Sequence, residues 1–369
     1  MKNVLEKVIN FFSWFNFGKK EQDKEKFDSP KSRWVRIKPP KKVKDFKEAI
    51  TLARYSNDPI FKLIANELVT HGDINYWKRG FYGQGVRVAV LDTGIYLNSP
   101  FFKTATNIVG KSFCGEAWDI DGNGHGTSVA SQIYHKFSLS EVVSGREIIC
   151  CSCPQLEQLM ILKVLNDAGQ GLWDWAEAAI DYLLELPDNQ RPHIINCSFS
   201  GHPDLVLTEQ GRRIGGKLVK LRNRPTLIVA AAGNTGFTDD PRVRYFANLD
   251  PAIPALATDN LTDPAYFSSH GPRALRGYAR DGVFRLGVDN VPEKAYVKLS
   301  GTSMASPDTA GFAALTLCYL NSLHTDKFAN INLIENTWAQ KGMLYDAGAP
   351  GADEYFGKGV LWFKDNINL

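Results

Sequence analysis

Short runs of apolar residues alternate with amphipathic segments from residue 80 onward, and this alternation limits the fold more than any other feature of the sequence. The runs are continuous rather than alternating in polarity, so they predict strands that are buried on both faces of a parallel sheet. Alternating strands and helices place helices on both faces of such a sheet. We therefore predict an α/β protein, a three-layer sandwich with a mostly parallel central sheet. The predicted strands are 86–91, 160–165, 193–197, 226–232 and 253–257, and the predicted helices are 125–137, 172–186, 205–222 and 303–321.

The N-terminal 73 residues differ from the rest of the chain. Residues 1–40 read as an amphipathic leader, whose apolar residues share one helical face, followed by a charged linker rich in proline. Residues 41–73 have helical periodicity and predict a small helical pre-segment, which leaves 74–369 as the main domain. The leader has neither a small-residue cleavage site nor about 18 consecutive apolar residues, so it predicts neither a signal peptide nor a membrane span.

The charge of the chain is concentrated at its start. Residues 1–50 contain 14 lysine and arginine residues against 7 acidic ones, whereas the net charge of the whole chain is only +3. A basic amphipathic segment can lie on an anionic membrane, so residues 1–20 predict peripheral membrane contact, with packing on a partner or on the main domain as the alternative. No basic stripe with interleaved aromatic residues follows, and we expect no nucleic-acid partner.

The six cysteines do not form the framework of a small disulfide-rich protein, because the chain is too long for that class. Cys150, Cys151 and Cys153 are too closely spaced for a regular disulfide and lack a second pair at zinc-site spacing. Cys197 and Cys318 stand in apolar runs and read as small core residues. We therefore expect reduced thiols and a cytoplasmic rather than a secreted chain.

Two ionisable residues stand at the ends of predicted elements. Asp92 ends the first apolar strand, where a carboxylate is partly buried and requires donors or a cation. His125 lies between two glycines at the start of an apolar helix, and a neutral imidazole there is a general base if a carboxylate orients it. Taken alone, the aspartate is also typical of nucleotide and metal sites, and the histidine of a helix turn without a function.

A serine and an asparagine complete the set of candidates. Ser303 opens a very apolar helix, where a hydroxyl usually only caps the helix, but here small residues surround it. Asn234 ends an apolar strand with an amide donor, a position that is also common in turns. In chain order the reactive types are Asp, His and Ser, with the asparagine between the last two. That order is one of the known arrangements of a serine-protease triad.

Four stretches of this sequence resemble the subtilisin-like serine proteases, the subtilases of peptidase type S8. They are VAVLDTGI (88–95), GHGTSVA (124–130), AAAGN (230–234) and SGTSMASP (300–307). Supporting stretches at 161–165, 195–199, 267–272 and 356–359 agree, so the resemblance covers about residues 74–362. It implies a subtilisin-like peptidase domain over 74–369. Residues 1–73 do not resemble the inhibitory prodomain of that family.

The resemblance implies a serine endopeptidase that cleaves protein or peptide substrates through an acyl-enzyme. Asp92, His125 and Ser303 are implied as the catalytic triad, and Asn234 as a donor to the oxyanion. Two alternatives on the same fold stay open at this point. One is a pseudoprotease that binds without turnover, and the other is a transpeptidase that passes the acyl group to an amine.

Two segments are implied by the resemblance as the walls of the first specificity pocket. Their residues are small or apolar, which predicts a broad or hydrophobic side-chain preference. Asp239 and Asp240 follow the oxyanion asparagine and offer the alternative of a preference for basic side chains, as in the kexin-like branch of the family. The wall residues are Ser198, Phe199 and Ser200 on one side and Ala231, Ala232 and Gly233 on the other.

Four residues depart from the family pattern near the triad. Ser128 and Ser131 replace a histidine and a glycine, and Asp308 and Thr309 replace a histidine and a valine. We expect altered packing and intact chemistry, although a carboxylate beside the nucleophile's helix requires a partner. Calcium is implied only because it is common in the family, and residues 96–99 lack the acidic ligand often found after the Asp-Thr-Gly motif.

Overall fold

The computed structural model describes residues 8–10, 72–99, 101–135, 151–259, 262–283, 285–290, 296–324, 326, 329–364 and 369. Most of the predicted leader and nearly all of the predicted helical pre-segment 41–73 lie outside these residues. Cys150 lies outside them as well. The division of the chain at residues 40 and 73 therefore stays a prediction.

The described residues form six α-helices and fourteen strands. The helices are α1 (Asp73–Trp77), α2 (His125–Ile133), α3 (Trp173–Glu185), α4 (Glu209–Asn223), α5 (Thr302–Leu323) and α6 (Ile334–Gln340). The strands are β1 (Val8–Asn10), β2 (Arg87–Asp92), β3 (Ile108–Ser112), β4 (Gln158–Lys163), β5 (Gln170–Leu172), β6 (Ile194–Cys197), β7 (Leu227–Ala231), β8 (Ala252–Asp259), β9 (Asp263–Pro264), β10 (Tyr278–Asp281), β11 (Arg285–Val288), β12 (Tyr296–Leu299), β13 (Leu344–Tyr345) and β14 (Val360–Leu361).

A central sheet with the order β13-β14-β10-β8-β7-β6-β2-β4-β3 organises the described residues. Its strands from β14 to β3 are parallel, and β13 and the short β9 are antiparallel additions. The five predicted strands are all present, as β2, β4, β6, β7 and β8. The prediction of a three-layer α/β sandwich with a mostly parallel sheet is confirmed.

Alternating residues of the buried strands face the two helical layers. Val88 and Val90 of β2 pack in the core that contains α2 and α5. Ala89 and Leu91 pack in the core that contains α3 and α4. Both faces of the strand are therefore dry, which is why its sequence is continuously apolar.

The predicted helices have nearly the predicted bounds, with one exception. The segment predicted as a helix over 205–222 is divided at Thr208, whose hydroxyl caps α4 by accepting the N–H of Gly211 at 3.0 Å. Residues Pro203–Leu207 before it form a 3₁₀ helix. No helix among the described residues is long and apolar enough to cross a membrane.

Residues Val8–Asn10 of the predicted leader form a strand. They form β1, which pairs antiparallel with β5, and Ile9 lies opposite Gly171. Two of the three residues are β-branched, and such side chains favour a strand when a partner edge is available. The apolar periodicity of the leader therefore does not produce a helix at these three positions.

The cysteines of the described residues are free thiols, as predicted. Cys151, Cys153, Cys197 and Cys318 are buried, and Cys114 is half-buried. Burial raises the pKa of the Cys153 and Cys197 thiols, which keeps them protonated. They fill space in the core.

The strand order reverses beside β2, and this reversal positions the site. From β2 the chain runs to β3 and β4 on one side, and it then crosses to β6, β7 and β8 on the other. In open parallel sheets such a reversal opens a crevice at the carboxyl ends of the strands. Asp92 at the end of β2 and Cys197 at the end of β6 lie at this crevice.

Candidate active site

The carboxylate of Asp92 and the imidazole of His125 form a buried hydrogen-bonded pair. Asp92 ends a central strand and has no solvent exposure, and α2 begins at His125. The distance between His125 Nδ1 and Asp92 Oδ1 is 2.8 Å. The same oxygen accepts the backbone N–H of Thr93 at 2.7 Å. A carboxylate in this position fixes the tautomer with Nδ1 as the donor and makes Nε2 the basic nitrogen.

A second buried carboxylate, Asp121, holds the loop that carries His125. Its Oδ1 accepts the N–H of Gly124 and the hydroxyl of Thr93, both at 2.9 Å. Its Oδ2 accepts the N–H of Thr127 at 2.8 Å and the hydroxyl of the same residue at 2.6 Å. Burial raises the pKa of Asp121, and these donors oppose the rise. The Asp121 carboxylate thus ties the start of α2 to the end of β2.

Close packing requires the glycines on either side of His125. Gly124 has φ 92°, and a Cβ on it would lie 2.6 Å from Oδ1 of Asn290. A Cβ on Gly126 would lie 2.3 Å from the carbonyl oxygen of Gly94. The groups that approach these two glycines closely belong to the protein itself.

Hydrogen bonds to β6 fix the first turn of α5, which carries Ser303. Ser198 follows β6 and donates its hydroxyl to the carbonyl oxygen of Ser303 at 2.9 Å. The Asn196 amide donates to Ser198 Oγ at 3.0 Å and accepts the Ser306 hydroxyl at 2.7 Å. Since β6 is the neighbour of β2, Ser303 lies at the same edge of the sheet as Asp92.

The side-chain amide of Asn234, just beyond β7, is oriented by Thr302. Asn234 Oδ1 accepts the N–H of Thr302 at 2.9 Å and its hydroxyl at 3.0 Å. The Thr302 oxygen accepts in turn the N–H of Gly233 at 3.0 Å. Because the amide oxygen of Asn234 is engaged in this way, its NH₂ group is the free end of the side chain and can donate to a further acceptor.

Gly301 leaves a position open between Ser303 and Asn234. Its φ of 155° and ψ of 160° lie in a region that essentially only glycine adopts. A Cβ on Gly301 would lie 2.9 Å from Ser303 Oγ, 3.0 Å from Asn234 Nδ2 and 3.6 Å from the backbone nitrogen of Ser303. A nucleophile and a hydrogen-bond donor within about 3 Å of one point are what acyl transfer requires.

The residues predicted as pocket walls lie at the carboxyl ends of β6 and β7. Phe199 contributes only its backbone there, because its fully buried ring packs 5.3 Å from the ring of Phe246. The hydroxyl of Ser198 is engaged by Ser303. That these segments bind substrate stays a prediction. The other wall residues, Ser200, Ala231, Ala232 and Gly233, are buried and small.

Arginine side chains already compensate the charge of Asp240. Arg242 donates to both of its carboxylate oxygens, at 2.7 Å and 3.0 Å, and Arg244 donates to Oδ2 at 3.2 Å. These partners hold the pKa of Asp240 at about 2, Arg242 having the largest effect. The alternative of a basic-residue preference that depends on Asp240 is therefore disfavoured.

Arg280 is the partner that the carboxylate of Asp308 requires. It donates to both oxygens of Asp308, at 2.9 Å and 3.0 Å, and to Asp73 of α1 at 3.1 Å. All three side chains are buried. The departure from the family pattern at residue 308 thus forms an ion cluster that joins α1, β10 and α5.

Two acidic side chains that bond to the loop before His125 do not fit a calcium ion. Asp121 is surrounded by N–H and O–H donors, and Asp167 accepts a 2.7 Å hydrogen bond from the ammonium group of Lys163. Within the described ranges no group of three or more His, Cys, Asp or Glu side chains could hold a metal ion. Calcium stays an expectation drawn from the family.

Several side chains that shape the site were not predicted as site residues from the sequence. Asp121 precedes the motif that contains His125, Thr302 stands beside Ser303 inside its motif, and the local sequence assigned neither a role. Asn196 stands in an apolar run, where a buried amide signals a hydrogen-bonding task. Arg244 gave no signal, because its position is set by contacts between distant segments.

The fold and these contacts define a class of protein. A serine at the start of a buried helix, an amide donor beside it and a histidine–aspartate pair at the same sheet edge are the components of a serine-protease site of the α/β type. Comparison with known families identifies the class more closely. The model of the subtilase family matches residues 83–359. The chain belongs to the subtilase family and is a serine-type endopeptidase.

Known proteins of this family resemble most of the chain. Subtilisin DY of Bacillus licheniformis is 30% identical over 288 residues, which are 77% of this chain and 91% of that protein. Subtilisin Savinase of Lederbergia lenta is 32% identical over 285 residues, 74% of this chain and 92% of that protein. Thermitase of Thermoactinomyces vulgaris is 27% identical over 294 residues, 78% of this chain and 88% of that protein.

Proposed function

We propose that the chain hydrolyses peptide bonds through an acyl-enzyme on Ser303, with Asp92 and His125 as the other members of the triad. Ser303 Oγ attacks the scissile carbonyl carbon while its proton passes to His125 Nε2. His125 then gives this proton to the leaving amine as the C–N bond breaks. Water, activated by the same imidazole, releases the acyl group. Asp92 accepts the hydrogen bond of Nδ1 and stabilises the imidazolium.

The oxyanion of the tetrahedral intermediate accepts hydrogen bonds from Asn234 Nδ2 and the backbone N–H of Ser303. The observation that carries the proposal is the open position at Gly301, about 3 Å from both the hydroxyl oxygen and the amide nitrogen. Donors that are fixed before the reaction stabilise developing charge without reorganising. The bond between Thr302 and Asn234 supports such fixation.

Replacement of the nucleophile tests the proposal. Ser303→Ala is expected to abolish peptide cleavage and labelling by a fluorophosphonate probe. Ser322→Ala, at the other end of the same helix, is the matched control and is expected to keep both. Labelling that persists in Ser303→Ala would place the nucleophile elsewhere. Mass spectrometry of products formed with a competing amine distinguishes hydrolysis from acyl transfer to the amine.

The substrate is a protein or peptide chain. The small walls at the ends of β6 and β7 favour a broad or hydrophobic preference when they are considered alone. Membrane contact through residues 1–20, the absence of a nucleic-acid partner and the cytoplasmic location stay predictions from the sequence.

A further inference from the structure

Residues 244 and 245 connect the two predicted walls of the specificity pocket. The N–H of Arg244 donates to the carbonyl oxygen of Ala232 at 2.8 Å, on one wall. Tyr245 N–H donates to the carbonyl oxygen of Gly201 at 3.0 Å, at the end of the other wall. A segment bonded to both walls spans the space between them. These two residues therefore form the base of the predicted pocket.

The side chain of Arg244, and not that of Tyr245, lies on the pocket side of this base. The Tyr245 ring is fully buried in the core, 4.7 Å from the ring of Trp173, and its hydroxyl donates to the Gly211 carbonyl. Neighbouring side chains of an extended segment point in opposite directions. Arg244 lies against the wall, because a Cβ on Gly233 would be 2.3 Å from Arg244 Cγ.

The guanidinium group of Arg244 is incompletely paired. Its side chain is 16% exposed, and Nη1 makes a 3.2 Å hydrogen bond to Asp240. Among the described residues, its Nε and Nη2 have no hydrogen-bond partner. Burial lowers the pKa of Arg244 although Asp240 opposes this effect. Asp240 is bound more closely by Arg242, which also donates to Asp204 at 2.8 Å.

We infer that Arg244 makes this pocket selective for an acidic side chain, glutamate or aspartate, on the residue that supplies the scissile carbonyl. The inference rests on the proposed function and replaces the hydrophobic preference that the walls suggest. A guanidinium group with unused N–H donors matches the planar geometry of a carboxylate, and hydrogen bonds between charged groups are the strong ones. Small walls leave the arginine accessible to such a side chain.

Asp240 is the charged group that opposes this selectivity. It is the acceptor already bound to Arg244, so it competes with a substrate carboxylate. His202 lies 3.9 Å from Asp240 and 3.7 Å from Asp204 and belongs to the same charge cluster. Removal of the Asp240 charge is therefore expected to strengthen binding of an acidic side chain.

Cleavage of matched peptides tests the inference. The substrates are tetrapeptide p-nitroanilides that are identical except for a last residue of Glu, Gln, Leu or Lys. For the unmodified protein we expect kcat/KM for Glu to exceed that for Gln by about 10–100-fold, the value of a charged hydrogen bond. Arg244→Gln is expected to bring the ratio close to one. Asp240→Asn is expected to raise it, and this variant tests the inference even if Arg244→Gln folds poorly.

Arg273→Gln is the matched control, because Arg273 also pairs with one aspartate, Asp250, but is exposed on another part of the surface. It is expected to leave the ratio unchanged. A Glu to Gln ratio near one in the unmodified protein, a ratio that survives Arg244→Gln, or a ratio that falls in Asp240→Asn would overturn the inference. Cleavage of the Leu peptide with no preference for Glu would refute the inference and leave the protease function intact. Absence of both cleavage and fluorophosphonate labelling would refute the function.

Discussion

Asn234 shows how a residue common in turns becomes a precise donor. Thr302 takes both hydrogen bonds that the amide oxygen of Asn234 accepts, so the amide cannot flip without losing them. The amide nitrogen then faces the open position beside Gly301. An oriented donor of this kind stabilises the transition state more than it stabilises the bound substrate.

Asn234→Ala is therefore expected to lower kcat by about 10²–10³ with little change in KM, a magnitude known from a subtilisin, a relative of this chain. Steady-state kinetics on a peptide substrate measure both constants. A change confined to KM would mean that the amide binds substrate and transition state equally, which contradicts an oxyanion role. Thermal unfolding of the variant shows whether the fold is retained.

Gly301→Ala tests the expected oxyanion position by filling it with a methyl group. The added methyl group would stand 2.9 Å from Ser303 Oγ and 3.0 Å from Asn234 Nδ2, where the oxyanion is expected. The backbone at φ 155° is also strained for alanine, at a cost of about 1–3 kcal/mol. We expect kcat/KM and the rate of fluorophosphonate labelling to fall together. We expect this fall to be larger than the loss of folding stability alone explains. Gly342→Ala, at another positive φ of 67° with open space around it, is the control for strain alone.

The sequence points to the proposed reactive residues more directly than to the residues that position them. Asp92, His125, Ser303 and Asn234 stand in motifs whose local spacing is informative. Arg244 is positioned by its own backbone hydrogen bond to Ala232 and by that of Tyr245 to Gly201, and no local pattern reports these contacts. Contacts of this kind exist only once the chain is folded.

At the scale of elements, the helix α5 depends on a buried charge cluster as well as on apolar packing. Arg280 of β10 is held by Asp308 of α5 and by Asp73 of α1. A buried arginine that loses a carboxylate partner keeps a charge it cannot solvate. The cluster therefore makes the position of the nucleophile's helix depend on α1 and on β10.

Asp308→Ala is expected to lower the free energy of unfolding by about 3–5 kcal/mol, measured by urea denaturation. The control is Asp250→Ala, since Asp250 pairs with Arg273 and Arg276 while its own side chain is 79% exposed. Pairs at the surface contribute about 0–1 kcal/mol, so this variant is expected to change stability little. Equal losses in the two variants would mean that the buried cluster does not stabilise α5.

The buried strands were predictable because a strand that is buried on both faces has a continuous run of apolar residues in its sequence. The strands β1, β3, β5 and β9 to β14 were not predicted, and their two to five residues give little periodicity to detect. The division of the predicted helix 205–222 depended on one cap, Thr208. Short elements and caps depend on tertiary partners more than on local pattern.

At the scale of the whole molecule, the pairing of β1 with β5 brings the start of the chain to the active-site edge. β5 follows β4 after a turn, and Val164 in that connection donates its N–H to the carbonyl oxygen of Asp92 at 3.0 Å. Trp173, directly after β5, packs against Phe199 of a predicted pocket wall. If an extended substrate in that pocket adds to the edge of β5, it competes with β1 for that edge.

Disruption of β1 is expected to lower KM for extended peptide substrates, because the edge of β5 then becomes available to them. If β1 occupies that edge for nine-tenths of the time, KM falls about tenfold in its absence. Ile9→Pro removes a backbone N–H and prevents regular pairing with Gly171, whereas Ile9→Ala keeps the backbone and is the matched control. Peptide kinetics on both variants measure the effect, with fluorophosphonate labelling as a reference, since that small probe reaches Ser303 without using β5.

If KM is the same in Ile9→Pro and Ile9→Ala, the leader does not compete with substrate. If KM falls in Ile9→Pro alone, the N-terminal segment limits access to the active site by strand pairing, a role that the apolar periodicity of its sequence does not indicate.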